Sequence, residues 1–191
     1  TWNNLYETVC KLSNYLKKVS LKRGDRVAAY VPNKIETIIS FLACAKNGII
    51  WSSCSPDFGV QGVVDRFKQI EPKVLITSDY YFYNGKKINI LDKVDEVLKQ
   101  IPSIEKVIVY NYYKKEKENL KNFIDFEETL NIVSDETFER FEFNHPIYIL
   151  FSSGTTGKPK CITHGTGNVL IEHNKEFMPV SYTHLRAHET S

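Results

Sequence analysis

Nine consecutive residues, Ser152, Ser153, Gly154, Thr155, Thr156, Gly157, Lys158, Pro159 and Lys160, have the side-chain types that hold a polyphosphate. From Ser152 to Gly157 every side chain is short or absent, so the backbone can approach a ligand and its N–H groups can converge on anionic oxygens. Four hydroxyls add donors. Lys158 and Lys160 bring the positive charge that several phosphate oxygens require, and Pro159 between them stiffens the return of the chain. The composition suits a nucleoside triphosphate.

An apolar run, Ile147 to Phe151, leads into this loop after the turn residues Asn144 and Pro146, as expected of a strand buried on both faces. The P-loop of common NTPases needs glycine where this chain has Ser152 and a hydroxyl residue where it has Pro159. Beyond Lys160, the residues Cys161 to Thr163 read as a second short strand leading to His164 and Gly165, so a strand-loop-strand cradle is expected. The alternative is an ordinary Gly/Ser/Thr hairpin turn.

The elements that must position the loop follow from periodicity. Leu5, Val9, Leu12, Leu16 and Val19 recur at helical spacing. Strand Val27 to Val31, a helix bearing Ile35, Ile38, Ile39 and Leu42, a helix-ending Gly48 and the run Ile49 to Trp51 make a βαβ unit. The order recurs with Val63, Val64, Phe67 and Ile70 before strand Val74 to Thr77. It recurs again with Val94, Val97, Leu98 and Ile101 before Val107 to Val109. Such alternation predicts an α/β fold of repeated βαβ units, a parallel sheet layered with helices. Asn111 to Asn122 reads as a solvated loop, because Glu116 and Glu118 interrupt its lysines and argue against a nucleic-acid patch. A helix is expected from Phe123 to Leu130, followed by a polar connector.

With 191 residues, 42% hydrophobic and 25% charged, the chain has globular composition, and a formal net charge of +2 implies no strongly acidic partner. Its longest apolar stretch, Ile35 to Trp51, is broken by Glu36, Lys46 and Asn47, which argues against a membrane span. Cys10, Cys44, Cys54 and Cys161 lack CxxC spacing, so neither a zinc site nor a disulfide framework is expected, and a reducing cytosol is the default. Asp65 and Arg66 are expected to pair on a helix surface rather than act as acid and base.

SSGTTGKPK resembles the signature loop of the adenylate-forming superfamily, with Cys161 standing where that family usually has glycine. WSSCSPDFG from Trp51 to Gly59, the following DRF and QIEPKVL, YNGK from Tyr83 to Lys86, and KCITHG from Lys160 to Gly165 resemble its acetoacetyl-CoA synthetase branch. The resemblance runs from about Trp2 to Phe177 and implies an incomplete N-terminal AMP-binding domain of an adenylate-forming enzyme. It implies an AMP-forming ligase acting on acetoacetate, ATP and CoA with Mg2+, with Ser152 to Gly157, Lys158 and Lys160 on the ATP phosphates. It further implies a CoA-phosphate contact for Lys86. Trp51 could line an acyl pocket or simply fill the core, and His164 could touch substrate or serve structure. Family members are several times longer, and their adenine, ribose, magnesium and catalytic-lysine positions have no counterpart here. The 191 residues alone are therefore expected to be inactive. Thr1-Trp2 reads as an internal start, and residues 178–191 resemble an adapter-derived, non-native tail in which His184 and His188 mimic metal-ligand spacing without a third ligand.

Overall fold

The computed structural model describes residues 1–112, 123–153 and 157–188, with side chains in the last stretch as far as Met178. Helix α1 (Trp2–Lys18) starts where the Thr1 hydroxyl accepts the Asn4 N–H and ends with Lys17 and Lys18 near its carbonyl terminus. Its apolar face, Val9, Leu12 and Leu16, is buried. Strand β1 (Arg26–Tyr30), α2 (Ile35–Lys46) and β2 (Ile50–Cys54) form the first βαβ unit. Gly48, at φ +63°, turns the chain between α2 and β2 in a conformation that a side chain disfavours. Helix α3 (Val60–Ile70) leads to β3 (Val74–Ser78), and α4 (Leu91–Gln100) leads to β6 (Lys106–Tyr110).

Between β3 and α4 lies a separate antiparallel hairpin, β4 (Tyr80–Tyr83) and β5 (Lys86–Asn89). Asn84 and Gly85 both have positive φ at its turn, the residue pair that a two-residue hairpin with matching twist favours. The expected helix from Phe123 is corrected in its first turn. Residues Phe123–Asp125 form strand β7, because Phe123 and Ile124 pair with Val107 and Ile108, and only Phe126–Thr129 is helical, as α5. Asp125 caps it by accepting the Glu127 N–H. The expected surface loop at 113–122 lies outside the described residues.

The main sheet runs β7-β6-β3-β1-β2-β8-β9, where β8 is Pro146–Ser152 and β9 is Lys160–Gly165. All neighbours are parallel except β8 and β9, which form an antiparallel hairpin. Two apolar layers cover it. Helices α1 and α2 enclose Leu12, Leu16, Ala43, Trp51 and Ile76 on one face, and α3 and α4 enclose Phe67, Leu75, Val94 and Ile149 on the other. Sheet residues alternate between the layers, as pleating requires.

Residues 131–145 cross α1 and α2 as a strap from α5 to β8. Asn14 donates to the Val133 carbonyl at 2.8 Å, and the buried Lys46 ammonium donates to the Thr137 carbonyl at 2.6 Å while lying over the Phe138 ring. Arg23 pairs with Glu142 and stacks over Phe141, which stacks in turn on His145. His145 Nε2 lies 2.9 Å from the Gly48 carbonyl, so this nitrogen carries the proton and donates, leaving Nδ1 to accept from Arg23 at 3.4 Å. The strap thus fixes where β8 begins. Helix α6 (Thr166–His188) follows β9 directly and runs unbroken past Phe177 and Met178. No helix among the described residues is long and apolar enough to cross a membrane.

Candidate phosphate-binding site

The hairpin β8–β9 carries the nine residues singled out above. Ser152 ends β8 opposite Lys160, the first residue of β9. The two strands expected on either side of the loop are therefore present, as an antiparallel hairpin. Ser153, Gly157, Lys158 and Lys160 are exposed and Ser152 is half-buried; Gly154, Thr155 and Thr156 lie outside the described residues. Gly157 adopts φ +129°, a backbone state that favours glycine, and a side chain at this position would meet open space. No described carboxylate pairs with Lys158 or Lys160. Two ammonium groups without a carboxylate partner among the described residues, beside small hydroxyl residues, suit an anionic ligand with several oxygens.

Pairing in the hairpin sorts its side chains. Phe151, opposite Cys161, packs into the layer under α3. By alternation Ser152 and Lys160 share the other face with the pairs Leu150–Ile162 and Tyr148–His164. The expectation that Ile147 to Phe151 is buried on both faces is corrected here. Ile149 is buried, but Leu150 is 45% exposed and Ile162 44%. The reason is the reach of α2, whose Phe41 ring covers Tyr148, at 6.1 Å between centroids, and leaves Leu150 open.

One arm of the loop is tied to β2. The register between β2 and β8 is set at a single pair, Trp51 and Tyr148, and Ser52 donates its hydroxyl to the Ile149 carbonyl at 2.8 Å in a buried position. The second sequence motif, WSSCSP, therefore holds the strand that presents the first. Ser53 and Ser55 of that motif, with Pro32, Asn33, Thr37 and Pro56, line a cleft of about 300 Å³ at the carboxyl ends of β1 and β2. The other arm is tied to α3. Gln69 Nε2 donates to the Pro159 carbonyl at 3.0 Å, and the Cys161 thiol donates to Gln69 Oε1 at 3.5 Å. Gln69 opens the QIEPKVL motif, but nothing local shows this role, since its partners on the hairpin lie some ninety residues away.

The remaining expected residues fall as follows. Trp51 sits in the layer under α2, 6% exposed, edge-on to Phe41 at 6.2 Å. His164 lies 4.9 Å from the Tyr148 ring, which completes an aromatic row Trp51, Phe41, Tyr148, His164; the Tyr148–His164 pair stands at the end of the hairpin away from the Ser152–Lys160 pair that flanks the loop. Lys86 is exposed at the start of β5, on the separate hairpin. Asp65 and Arg66 serve different partners: Asp65 accepts from Gln61, while Arg66 donates to the Gly62 carbonyl and lies over Phe58. Among the described residues no group of three or more His, Cys, Asp or Glu side chains is placed to hold a metal ion.

This arrangement can be compared with known proteins. A family model described as AMP-binding enzyme matches residues 1–188. The chain belongs to the AMP-binding enzyme family. Within that family it is 46% identical over 180 residues to an acetoacetyl-coenzyme A synthetase of Rhizobium meliloti (strain 1021), and 43% identical over 186 residues to an acetoacetyl-CoA synthetase of Xenopus tropicalis. Each match covers 92% of this chain and 28% of the relative. A solved structure, acetoacetyl-CoA synthetase from Streptomyces lividans, superposes with a TM-score of 0.88 at 38% identity, over 93% of this chain and 27% of that one. The chain thus spans little more than a quarter of the length of these AMP-binding relatives.

Proposed function

We propose that this chain supplies the triphosphate-gripping part of an AMP-forming acetoacetate–CoA ligase. The observation that carries the reading is the β8–β9 loop, with two unpaired lysines beside small hydroxyl residues, in a chain similar over nine-tenths of its length to acetoacetyl-CoA synthetases. In this reaction the acetoacetate carboxylate attacks the α-phosphorus of ATP. Pyrophosphate leaves, an acyl-adenylate forms, and the CoA thiol then displaces AMP to give acetoacetyl-CoA. Ser152 to Gly157, Lys158 and Lys160 hold the β- and γ-phosphates, neutralising and orienting the leaving pyrophosphate. Mg2+ accompanies the ATP phosphates, held by groups beyond those described. Lys86 contributes a charge toward the CoA phosphate, supported by its exposure and its YNGK setting. Trp51 bounds the acyl side, supported by the aromatic row that links it to His164.

Residues 1–177 are the AMP-binding portion and 178–191 a non-native tail, a division supported by the adapter-like sequence and by Phe177 and Met178 standing 70% and 73% exposed. The partners are small molecules, the compartment is the cytosol, and the 191 residues by themselves bind nucleotide without turning it over. The test is Lys160→Ala in an enzyme extended to the length of its relatives, assayed by acetoacetate-dependent exchange between ATP and labelled pyrophosphate. The expected result is a fall of roughly tenfold or more, the scale for losing one charged phosphate contact. Unchanged exchange sinks the assignment.

A further inference from the structure

The two ends of the phosphate loop are held by different means. The first follows β8, which lies between two strands. The second opens β9, which among the described residues ends the sheet and has β8 as its one strand neighbour. An edge strand of six residues gives its first residue little fixity of its own. What meets it is Gln69, on the last turn of α3.

Gln69 touches three groups. Its Nε2 donates to the Asp65 carbonyl one turn back, at 2.6 Å, and to the Pro159 carbonyl at 3.0 Å, while its Oε1 accepts from the Cys161 thiol at 3.5 Å. The carboxamide therefore grips β9 on either side of Lys160, and its own orientation is set by the helix that carries it. Because alternation sends Cys161 toward α3, Lys160 must project from the opposite face, beside Ser152. Pro159, whose carbonyl Gln69 holds, joins Lys158 to Lys160 and has a fixed φ. Three bonded partners on one amide are enough to set the rotation of this segment.

We propose that Gln69 is a positioning residue for Lys158 and Lys160, orienting both ammonium groups toward the leaving pyrophosphate through Pro159 and Cys161. The inference rests on the ligase reading given above. It also gives Cys161 a purpose: a thiol at this position can donate to Gln69, which a glycine cannot do.

The test uses the enzyme extended to the length of its relatives, with Gln69→Ala, Gln69→Glu, Cys161→Ser, Cys161→Ala and the double variant Gln69→Ala/Cys161→Ala. Gln69 is exposed, so each protein should fold, which its thermal midpoint checks. In pyrophosphate exchange, Gln69→Ala should raise the KM for ATP and for pyrophosphate roughly threefold to tenfold, the net worth of one or two hydrogen bonds, and leave the KM for acetoacetate in place. Gln69→Glu should do at least as much, since it loses the donor to Pro159 and sets a negative charge near the phosphates. Cys161→Ser keeps a donor and should stay near wild type. The double variant should be no worse than Gln69→Ala alone, because both side chains act in one contact.

An unchanged KM for ATP in Gln69→Ala overturns the proposal, as does a rise shared equally by ATP and acetoacetate. Pyrophosphate binding by calorimetry separates this from the ligase reading. If wild type binds pyrophosphate but shows no exchange, the ligase reading falls, and Gln69→Ala must still weaken binding for the positioning role to stand. If wild type neither binds nor exchanges, both fall.

Discussion

Replacing Ser52 by alanine isolates the bond that fastens the β8–β9 hairpin to the sheet. Ser52 is 1% exposed and its hydroxyl donates to the Ile149 carbonyl at 2.8 Å. Strand register between β2 and β8 is otherwise set at Trp51 and Tyr148. Removing one partner of a buried hydrogen bond costs about 1–3 kcal/mol, because the remaining group keeps its desolvation penalty. For a chain of this size each kcal/mol lowers the thermal midpoint by about 2–4 °C. The neighbouring Ser53 is exposed on the same strand and provides the control, with an expected change within about 0.5 kcal/mol. The assay is urea and thermal unfolding followed by circular dichroism, with amide exchange read at Leu150, Phe151 and Ser152. Those amides should exchange faster in Ser52→Ala than in wild type. Equal losses in Ser52→Ala and Ser53→Ala would refute the reasoning.

Two further outcomes follow from side chains away from the loop. With a neutral thiol reagent at pH 8, one cysteine should react quickly in the native protein and four in denaturant. Cys161 is exposed, whereas Cys10, Cys44 and Cys54 are buried and burial pushes the Cys54 thiol up to about 12; a second fast thiol in the native state would contradict this packing. Asp135 anchors the strap, and hydrogen bonds from the Thr137 hydroxyl and N–H, with Lys17 nearby, lower its carboxyl to about 2. A depressed carboxylate stabilises the fold above its unfolded value of about 3.9 and loses that effect as pH falls through the folded value. The stability gap between wild type and Asp135→Asn should hold from pH 5 to 7 and close between about pH 4 and pH 2, measured as urea midpoints against pH. A gap independent of pH would remove the carboxylate from the account.

The parts of this fold legible in sequence were those whose signal is local. Helical spacing in α1, α3 and α4 marked their buried faces, because each buries one stripe against one layer. The strand-loop-strand order around Ser152 to Lys160 was legible for a similar reason: small residues, lysines and an apolar strand stand side by side in the chain. Strand β7 was missed because Phe123 and Ile124 become extended only through pairing with Val107 and Ile108, although Asp125, with Glu127 and Glu128 in the first turn, marks a helix start just after them. The hairpin β4–β5 carried its own marker, Asn84-Gly85, but its two four-residue strands alternate too weakly to stand out. The exposure of Leu150 and Ile162 depends on how far α2 extends, a tertiary quantity. Ser52 and Gln69 lie inside the WSSCSPDFG and QIEPKVL motifs, but as small or polar residues they give no sign of a distant partner, and only the folded chain shows that they hold the two arms of the loop.

The strap also sets an order of events in folding. The bond between Ser52 and Ile149 joins residues 97 apart, whereas β1 and β2 are joined by a single local crossover. Contacts between distant residues form late, after nearby ones have met the entropy of closing shorter loops. Residues 131–145 lie over α1 and α2 in the folded chain, so the β8–β9 hairpin is expected to dock after most of the sheet has formed. Damage at Ser52, Gln69 or the strap should therefore quicken unfolding and leave the folding rate nearly untouched. A protein emerging from the ribosome would complete the β1–β2–β3 scaffold first and seat the β8–β9 hairpin last.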